Sequence, residues 1–188
     1  MRNINDMLAV LHYDPKWVEY GFIDQQTLQD QFSQHETGAD QNTEHYRYTS
    51  FCKLLDRSVM DDLMLERFTE LALLDEDQTM AQSALAKLVR KADLTAHQLA
   101  YLKGHPAFAS PTLQNIVEQT QLLLELGSSD LSEDLFNRCL LGGKEDVQRR
   151  LLNHRRISKP QLASLADYGT NRAVRNLAKE KLHRSSSK

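Results

Sequence analysis

Leu94-Thr95-Ala96-His97-Gln98-Leu99-Ala100-Tyr101-Leu102 recurs in its chemistry as Ile157-Ser158-Lys159-Pro160-Gln161-Leu162-Ala163-Ser164-Leu165. Each stretch reads as a helix start: an apolar residue, a Ser or Thr cap, Gln three residues later, then Leu. Thr95 or Ser158 is placed to accept the backbone N–H of the third helical residue, while Gln98 or Gln161 reaches back to the cap's own N–H. Leu94 with Leu99, and Ile157 with Leu162, form the hydrophobic staple that sets the angle at which the chain enters the helix.

The same pattern recurs more loosely at three other places. Ile23-Asp24 precedes Leu28, Met60-Asp61 precedes Leu65 and Phe68, and Leu131-Ser132 precedes Phe136 and Cys139. The five starts are separated by 37, 34, 37 and 26 residues, each step long enough for two short helices. Periods of about 20 to 50 residues characterise helical solenoids. The first repeat is degenerate, with Gln31 standing where Phe68, Leu102 and Leu165 stand in others. The expected fold is therefore all-α: a right-handed helical-repeat array, an α-solenoid of about nine or ten short helices.

Further elements follow in order. Ile4 to Leu11 reads as a short helix ending before Asp14-Pro15, and Pro15 to Tyr20 as a turn or two stopped by Gly21. A single helical-repeat domain over 1–188 is expected. It has an atypical cap at 1–43, hairpin repeats at 44–183 and a disordered tail at 184–188. Residues 33–43 carry almost no apolar side chain and read as a mobile loop, after which Thr43 caps a helix. Beyond Asp61, the stripe Met64, Leu65, Phe68, Leu71 and Ala72 faces inward, with Asp62, Glu66 and Glu70 on another face. The Asp75-Glu76-Asp77 cluster suits the N-terminus of the following helix. Eight of the 13 aromatic residues fall within the first 51, as packing for an end cap.

The C-terminal third resembles the variant leucine-rich repeat, a helical relative of the HEAT-type solenoids. That family reads V-R-x-x-[LV]-A, a short turn, T-P-x-x-L-x-x-L-A-x-D, then the next V-R. Matching segments are Val147-Gln148-Arg149-Arg150-Leu151-Leu152, Ser158-Lys159-Pro160-Gln161-Leu162-Ala163-Ser164-Leu165-Ala166-Asp167, and Val174-Arg175-Asn176-Leu177-Ala178. Gln148 replaces the first Arg, and the spacing from Val147 to Val174 exceeds the family's usual repeat. The iron–sulfur cysteines found beside some such repeats have no counterpart. The resemblance implies a curved array of helices and a role in binding other macromolecules.

Composition is that of a globular chain, with 40% hydrophobic and 26% charged residues. No apolar run approaches the roughly 20 residues of a membrane span, and Met1 to Leu11 lacks the pattern of a signal peptide. Two cysteines, Cys52 and Cys139, make no disulfide framework and lack metal-type spacing, so a reducing cytoplasm is expected. The net charge of −3 hides a strong asymmetry. Residues 1–140 hold 11 Lys+Arg against 22 Asp+Glu, and residues 141–188 hold 12 against 4. Such an imbalance hints at an anionic partner for the C-terminal segment.

Catalytic signatures are missing: no H-E-x-x-H, no phosphate-cradling glycine loop, no G-x-S-x-G and no C-x-x-C. No catalytic residue, metal ligand or cofactor is assigned. Glu180-x-x-His183 is half of a di-iron motif, and His35, Glu36, Glu44 and His45 flank the polar loop, but loop polarity and capping account for them. The candidate partner- or anion-binding residues are Arg149, Arg150, Arg155, Arg156, Lys159, Arg172, Arg175 and Lys179. Stacked helices would merge these into one positive surface, with Arg172, Arg175 and Lys179 on one stripe of the last helix. The expected function is a non-enzymatic interaction module binding a protein partner. The alternative is nucleic-acid binding through the same basic helices, as in HEAT-like DNA repair proteins.

Overall fold

The computed structural model describes residues 3–57, 59–91, 93–128 and 130–186. Among these residues the chain is all-helical and contains no strand. The first helices are α1 (Ile4–Val10), α2 (Lys16–Glu19), α3 (Gln25–Glu36), α4 (Thr43–Arg57), α5 (Asp62–Leu74) and α6 (Gln78–Lys91). Then come α7 (Ala96–Gly104), a single 3₁₀ turn (Pro106–Phe108), α8 (Pro111–Ser128) and α9 (Glu133–Gly142). α10 (Glu145–Leu152), α11 (Lys159–Tyr168) and α12 (Arg172–Ser186) complete the set. Among the described residues there are twelve α-helices, against the expected nine or ten.

All five anticipated helix starts are capped. Asp24, Asp61, Thr95, Ser132 and Ser158 each accept the backbone N–H three residues on, and Thr95–Gln98 and Ser158–Gln161 form complete capping boxes. Such caps contribute about 0.5–2 kcal/mol each. The chain divides into two compact units, Met1–Ile116 and Val117–Lys188, the division falling inside α8.

In the first unit α1 packs on α3, while α6 packs on both α4 and α5. The core centres on Trp17, which is 1% exposed and meets Tyr13 and Phe51 edge-on at centroid distances of 5.2 and 4.6 Å. Phe51 continues the cluster to Phe68 at 4.7 Å, joining α4 to α5. The degenerate position Gln31 is buried within a polar knot. Tyr13 Oη donates to Gln31 Oε1 at 2.9 Å, and Gln31 Nε2 donates to Ser50 Oγ at 3.2 Å. Burial raises the Tyr13 hydroxyl well above its ordinary range, despite its hydrogen bonds with Ser50 and Gln31.

Several expectations are corrected. α3 runs through residues 33–36, so the connection begins at Thr37. That connection is tied down: Asp40 accepts Asn42 N–H at 2.9 Å and meets His45 Nδ1 at 2.9 Å, and these bonds lower its carboxyl pKa. Thr43 is the first helical residue of α4 and accepts from Arg47, not the cap before it. Asp75 does not simply face a helix dipole. It is buried against Arg47, whose Nε donates at 2.8 Å, while Asp77 caps Met80 N–H at 2.8 Å. The tail is helical through Ser186, because Glu180 pairs with Arg184 one turn on and basic residues suit a helix C-terminus. The remainder of the anticipated tail, residues 187–188, lies outside the described residues.

In the second unit α9 with α10, and α11 with α12, form two hairpins; α9 packs on α11 and α10 on α12. Leu126, Phe136, Cys139, Val147, Leu151, Leu165, Val174 and Ala178 make the core. Each hairpin turns at a buried-side glycine. A Cβ on Gly143 would stand 2.3 Å from Cys139 O and 2.7 Å from Val147 Cγ1; on Gly169 it would stand 2.6 Å from Leu165 O.

Two side-chain devices recur within the units. The residue after the first buried position of the second helix reaches back to the end of the first. Gln114 donates to Lys103 O at 2.9 Å, Gln148 to Leu140 O at 2.8 Å, and Arg175 to Gly169 O at 2.7 Å. In addition, the third-residue Gln of one helix donates to the first-residue carboxylate of an earlier one. Gln98 reaches Asp62 at 3.0 Å, and Gln161 reaches Glu133 at 3.4 Å. Both bonds align helix N-termini, α5 with α7 and α9 with α11.

Candidate functional site

The basic segment begins at α10, whose sequence Glu145-Asp146-Val147-Gln148-Arg149-Arg150-Leu151-Leu152 puts acids in the first turn and arginines in the last. That order complements the helix dipole at both ends. Val147, Gln148, Leu151 and Leu152 are buried, so Arg149 and Arg150 are left on the solvent side. The carbonyls at the end of α10 are fully used. Arg149 O accepts from Asn153 Nδ2, Arg150 O from Asn153 N, Leu151 O from His154 N, and Leu152 O from Lys181 Nζ.

The eight candidate cations fall into two groups. Arg149 pairs with Glu145 at 2.7 Å, and Arg149 with Asn171 holds the Glu145 carboxyl below the usual carboxylate range. Arg156 pairs with Asp130 at 2.8 Å, and Arg175 is committed to Gly169 O. Arg150, Arg155, Lys159, Arg172 and Lys179 have no side-chain partner among the described residues. Arg150 and Arg155 come together, lining one cleft of about 320 Å³ with Leu126, Gly127, Ser128, Asn153 and His154. Lys159 opens α11, and Arg172 and Lys179 lie on α12.

No family model, curated protein or solved structure matches the chain. The reading of the site therefore rests on its own geometry.

Other candidate groups are accounted for locally. His35 Nδ1 lies 3.3 Å from Asp40 O with its ring edge-on to Tyr46, and His45 lies against Asp40. Glu180 pairs with Arg184. Among the described residues no three His, Cys, Asp or Glu side chains converge as a metal site requires. The acidic stripe is partly occupied: Glu70 accepts from Lys16 and Tyr20, and Asp62 from Gln98. Glu66 lines a second cleft of about 220 Å³ with Asp62, Leu65, His97, Gln98 and Tyr101. Cys139 is buried and its thiol is pushed up to about 11 by desolvation, as expected of a cysteine packed as a small hydrophobe. Among the described residues no helix is long and apolar enough to cross a membrane.

Sequence reasoning missed His154, the end of α8 and the distinction between committed and uncommitted cations. Two of the pairings were readable, since Glu145–Arg149 and Glu180–Arg184 are four apart on one helix. Arg156–Asp130 and Arg175–Gly169 depend on how helices stack and leave no local signal.

Proposed function

We propose that the chain is a non-enzymatic interaction module of the helical-repeat kind, an α-solenoid resembling the HEAT and variant leucine-rich repeats, that binds an acidic segment of a protein partner. The recurring caps and the two back-reaching devices support the repeat reading. One observation carries the binding reading: two arginines share a cleft while their neighbours Arg149 and Arg156 are internally paired. A surface built only for solubility has no reason to gather in one concavity guanidinium groups that have no partner among the described residues.

A protein partner suits this pattern better than a nucleic acid. Committed cations and the carboxylates of Glu145, Asp146, Asp167 and Glu180 interrupt the unpaired ones. A phosphate backbone, with one charge per about 1.7 Å of duplex axis, favours an unbroken positive track. Isolated anionic side chains need only local receptors.

Fluorescence anisotropy with a labelled glutamate decamer tests this, with single-stranded and duplex DNA 20-mers beside it at 50 and 200 mM salt. The decamer is expected to bind at the lower salt and to be released by the Arg150→Glu/Arg155→Glu double substitution. Tighter DNA binding that falls steeply with salt replaces this reading with the nucleic-acid one. Binding of neither ligand overturns both.

A further inference from the structure

The cleft beside Arg150 is built from the ends of two helices. Leu126, Gly127 and Ser128 close α8, and Arg150, Asn153, His154 and Arg155 come from the end of α10 and the turn after it. An arginine at such a place ordinarily serves the helix C-terminus, donating to its last carbonyls. Here that work is done by other donors: Asn153, the His154 N–H and Lys181 occupy the carbonyls of residues 149–152. Arg150 and Arg155 thus line the concavity with no side-chain hydrogen bond or ion pair to another described residue.

His154 adds a third donor, and its tautomer follows from geometry. Its Nδ1 accepts the Arg156 backbone N–H at 3.2 Å, so in the neutral ring the proton sits on Nε2. Asn153 is spent at both ends of its amide, donating to Arg149 O and accepting from Lys181 Nζ at 2.7 Å. Ser128 Oγ donates to Leu124 O. Among the described residues, the lining side chains left without a partner for their donors are therefore those of Arg150 and Arg155, the His154 ring brings a further N–H, and the two guanidinium groups bring two positive charges.

We infer that this cleft receives a phosphate monoester, the group a phosphorylated side chain of the protein partner presents. The inference rests on the protein-partner reading above and narrows it. A carboxylate brings one negative charge and two oxygens, which a single guanidinium fork satisfies in bidentate fashion. A phosphate monoester carries about −1.5 to −2 charges and three terminal oxygens, matching two forks plus a third N–H. Arginine, more weakly hydrated than lysine and rigid in its fork, is the cation suited to such a site.

The probe is the synthetic peptide acetyl-Gly-Gly-phosphoserine-Gly-Gly-amide, titrated into the full chain and read by ¹H–¹⁵N spectra of the arginine and histidine side chains. Arg150 and Arg155 Nε–Hε and His154 signals are expected to shift saturably. The affinity is expected to fall about tenfold or more in Arg150→Ala and in Arg155→Ala, and to change less than about twofold in Arg90→Ala, an exposed arginine at the end of α6. The Arg150→Lys/Arg155→Lys variant retains charge without the fork and is expected to lose affinity as well. Both arginines are exposed, so unchanged unfolding midpoints verify that the variants fold.

Equal binding of the unphosphorylated serine or the glutamate peptide overturns the phosphate inference. So does no saturable shift at about 10 mM peptide, an affinity too weak for recognition. If the glutamate decamer still binds in an arginine-dependent way, only the phosphate assignment fails; if it does not, the partner reading fails with it.

Discussion

Gln148 Oε1 accepts the backbone N–H of Thr170 at 2.7 Å while its Nε2 donates to Leu140 O at 2.8 Å. One buried amide, 1% exposed, thus joins the end of α9 to the turn between α11 and α12. Gln148→Ala strands a backbone donor and removes the tie, at a cost of about 1–3 kcal/mol. Urea unfolding measures it. Gln148→Arg restores the donor found at Arg175 but not the acceptor that Thr170 uses, so only partial recovery is expected.

Gly143 and Gly142 are adjacent but differ in surroundings. Alanine at 143 meets Cys139 O and Val147 at sub-van der Waals distance, whereas alanine at 142 meets nothing within 4 Å. Neither has a positive φ, so the contrast is steric. Gly143→Ala is expected to destabilise by about 1–3 kcal/mol through overpacking. Gly142→Ala lies at the end of a helix, where alanine is favoured by up to about 1 kcal/mol. Thermal midpoints of the two variants should move in opposite directions.

The Arg47–Asp75 pair has side chains 3% and 2% exposed, and Arg47 also donates to Leu11 O at 3.0 Å. Arg47→Met leaves a buried carboxylate with little compensation, which costs about 3–5 kcal/mol. Arg47→Met/Asp75→Leu is expected to recover much of that loss. A double-mutant cycle by chemical denaturation yields the coupling energy, and a value near zero contradicts the pairing.

Glu70 predicts an acid-dependent contribution. Lys16, then Tyr20, hydrogen-bond its carboxylate and hold the folded pKa below the usual range. A depressed folded pKa stabilises the native state above the unfolded pKa, and that gain is lost as pH falls through the folded one. The stability difference between the native chain and Glu70→Gln should be full at pH 6 and shrink progressively below about pH 4.3, the unfolded glutamate value. A difference independent of pH from 6 to 3 sinks this account. Partial exposure of both partners keeps the effect small.

Thiol titration separates the two cysteines. With its thiol pushed to about 11 by burial, Cys139 is thiolate at pH 8 only to about one part in a thousand, and it is also enclosed. Cys52 is half-buried and contacts Lys87 Nζ at 2.9 Å through its sulfur. Ellman's reagent at pH 8 should therefore modify one thiol in the native chain and the second only in denaturant.

What the linear chain determined by itself is local. An Asp, Ser or Thr before an apolar run satisfies a helix's orphan N–H groups from within four residues, so Asp24, Asp61, Thr95, Ser132 and Ser158 announce their helices without help. An apolar stripe such as Leu65, Phe68, Leu71 and Ala72 likewise showed which face is buried. Charge asymmetry marked the region of the candidate site. Only the packed structure decided which charges remained available, since Arg156, Arg175 and Lys181 find partners 26, 6 and 28–29 residues away across helix junctions. The burial of Gln31, Arg47 and Asp75 was hidden for the same reason: a polar side chain enters a core when distant groups complete its hydrogen bonds, and no local pattern records that completion.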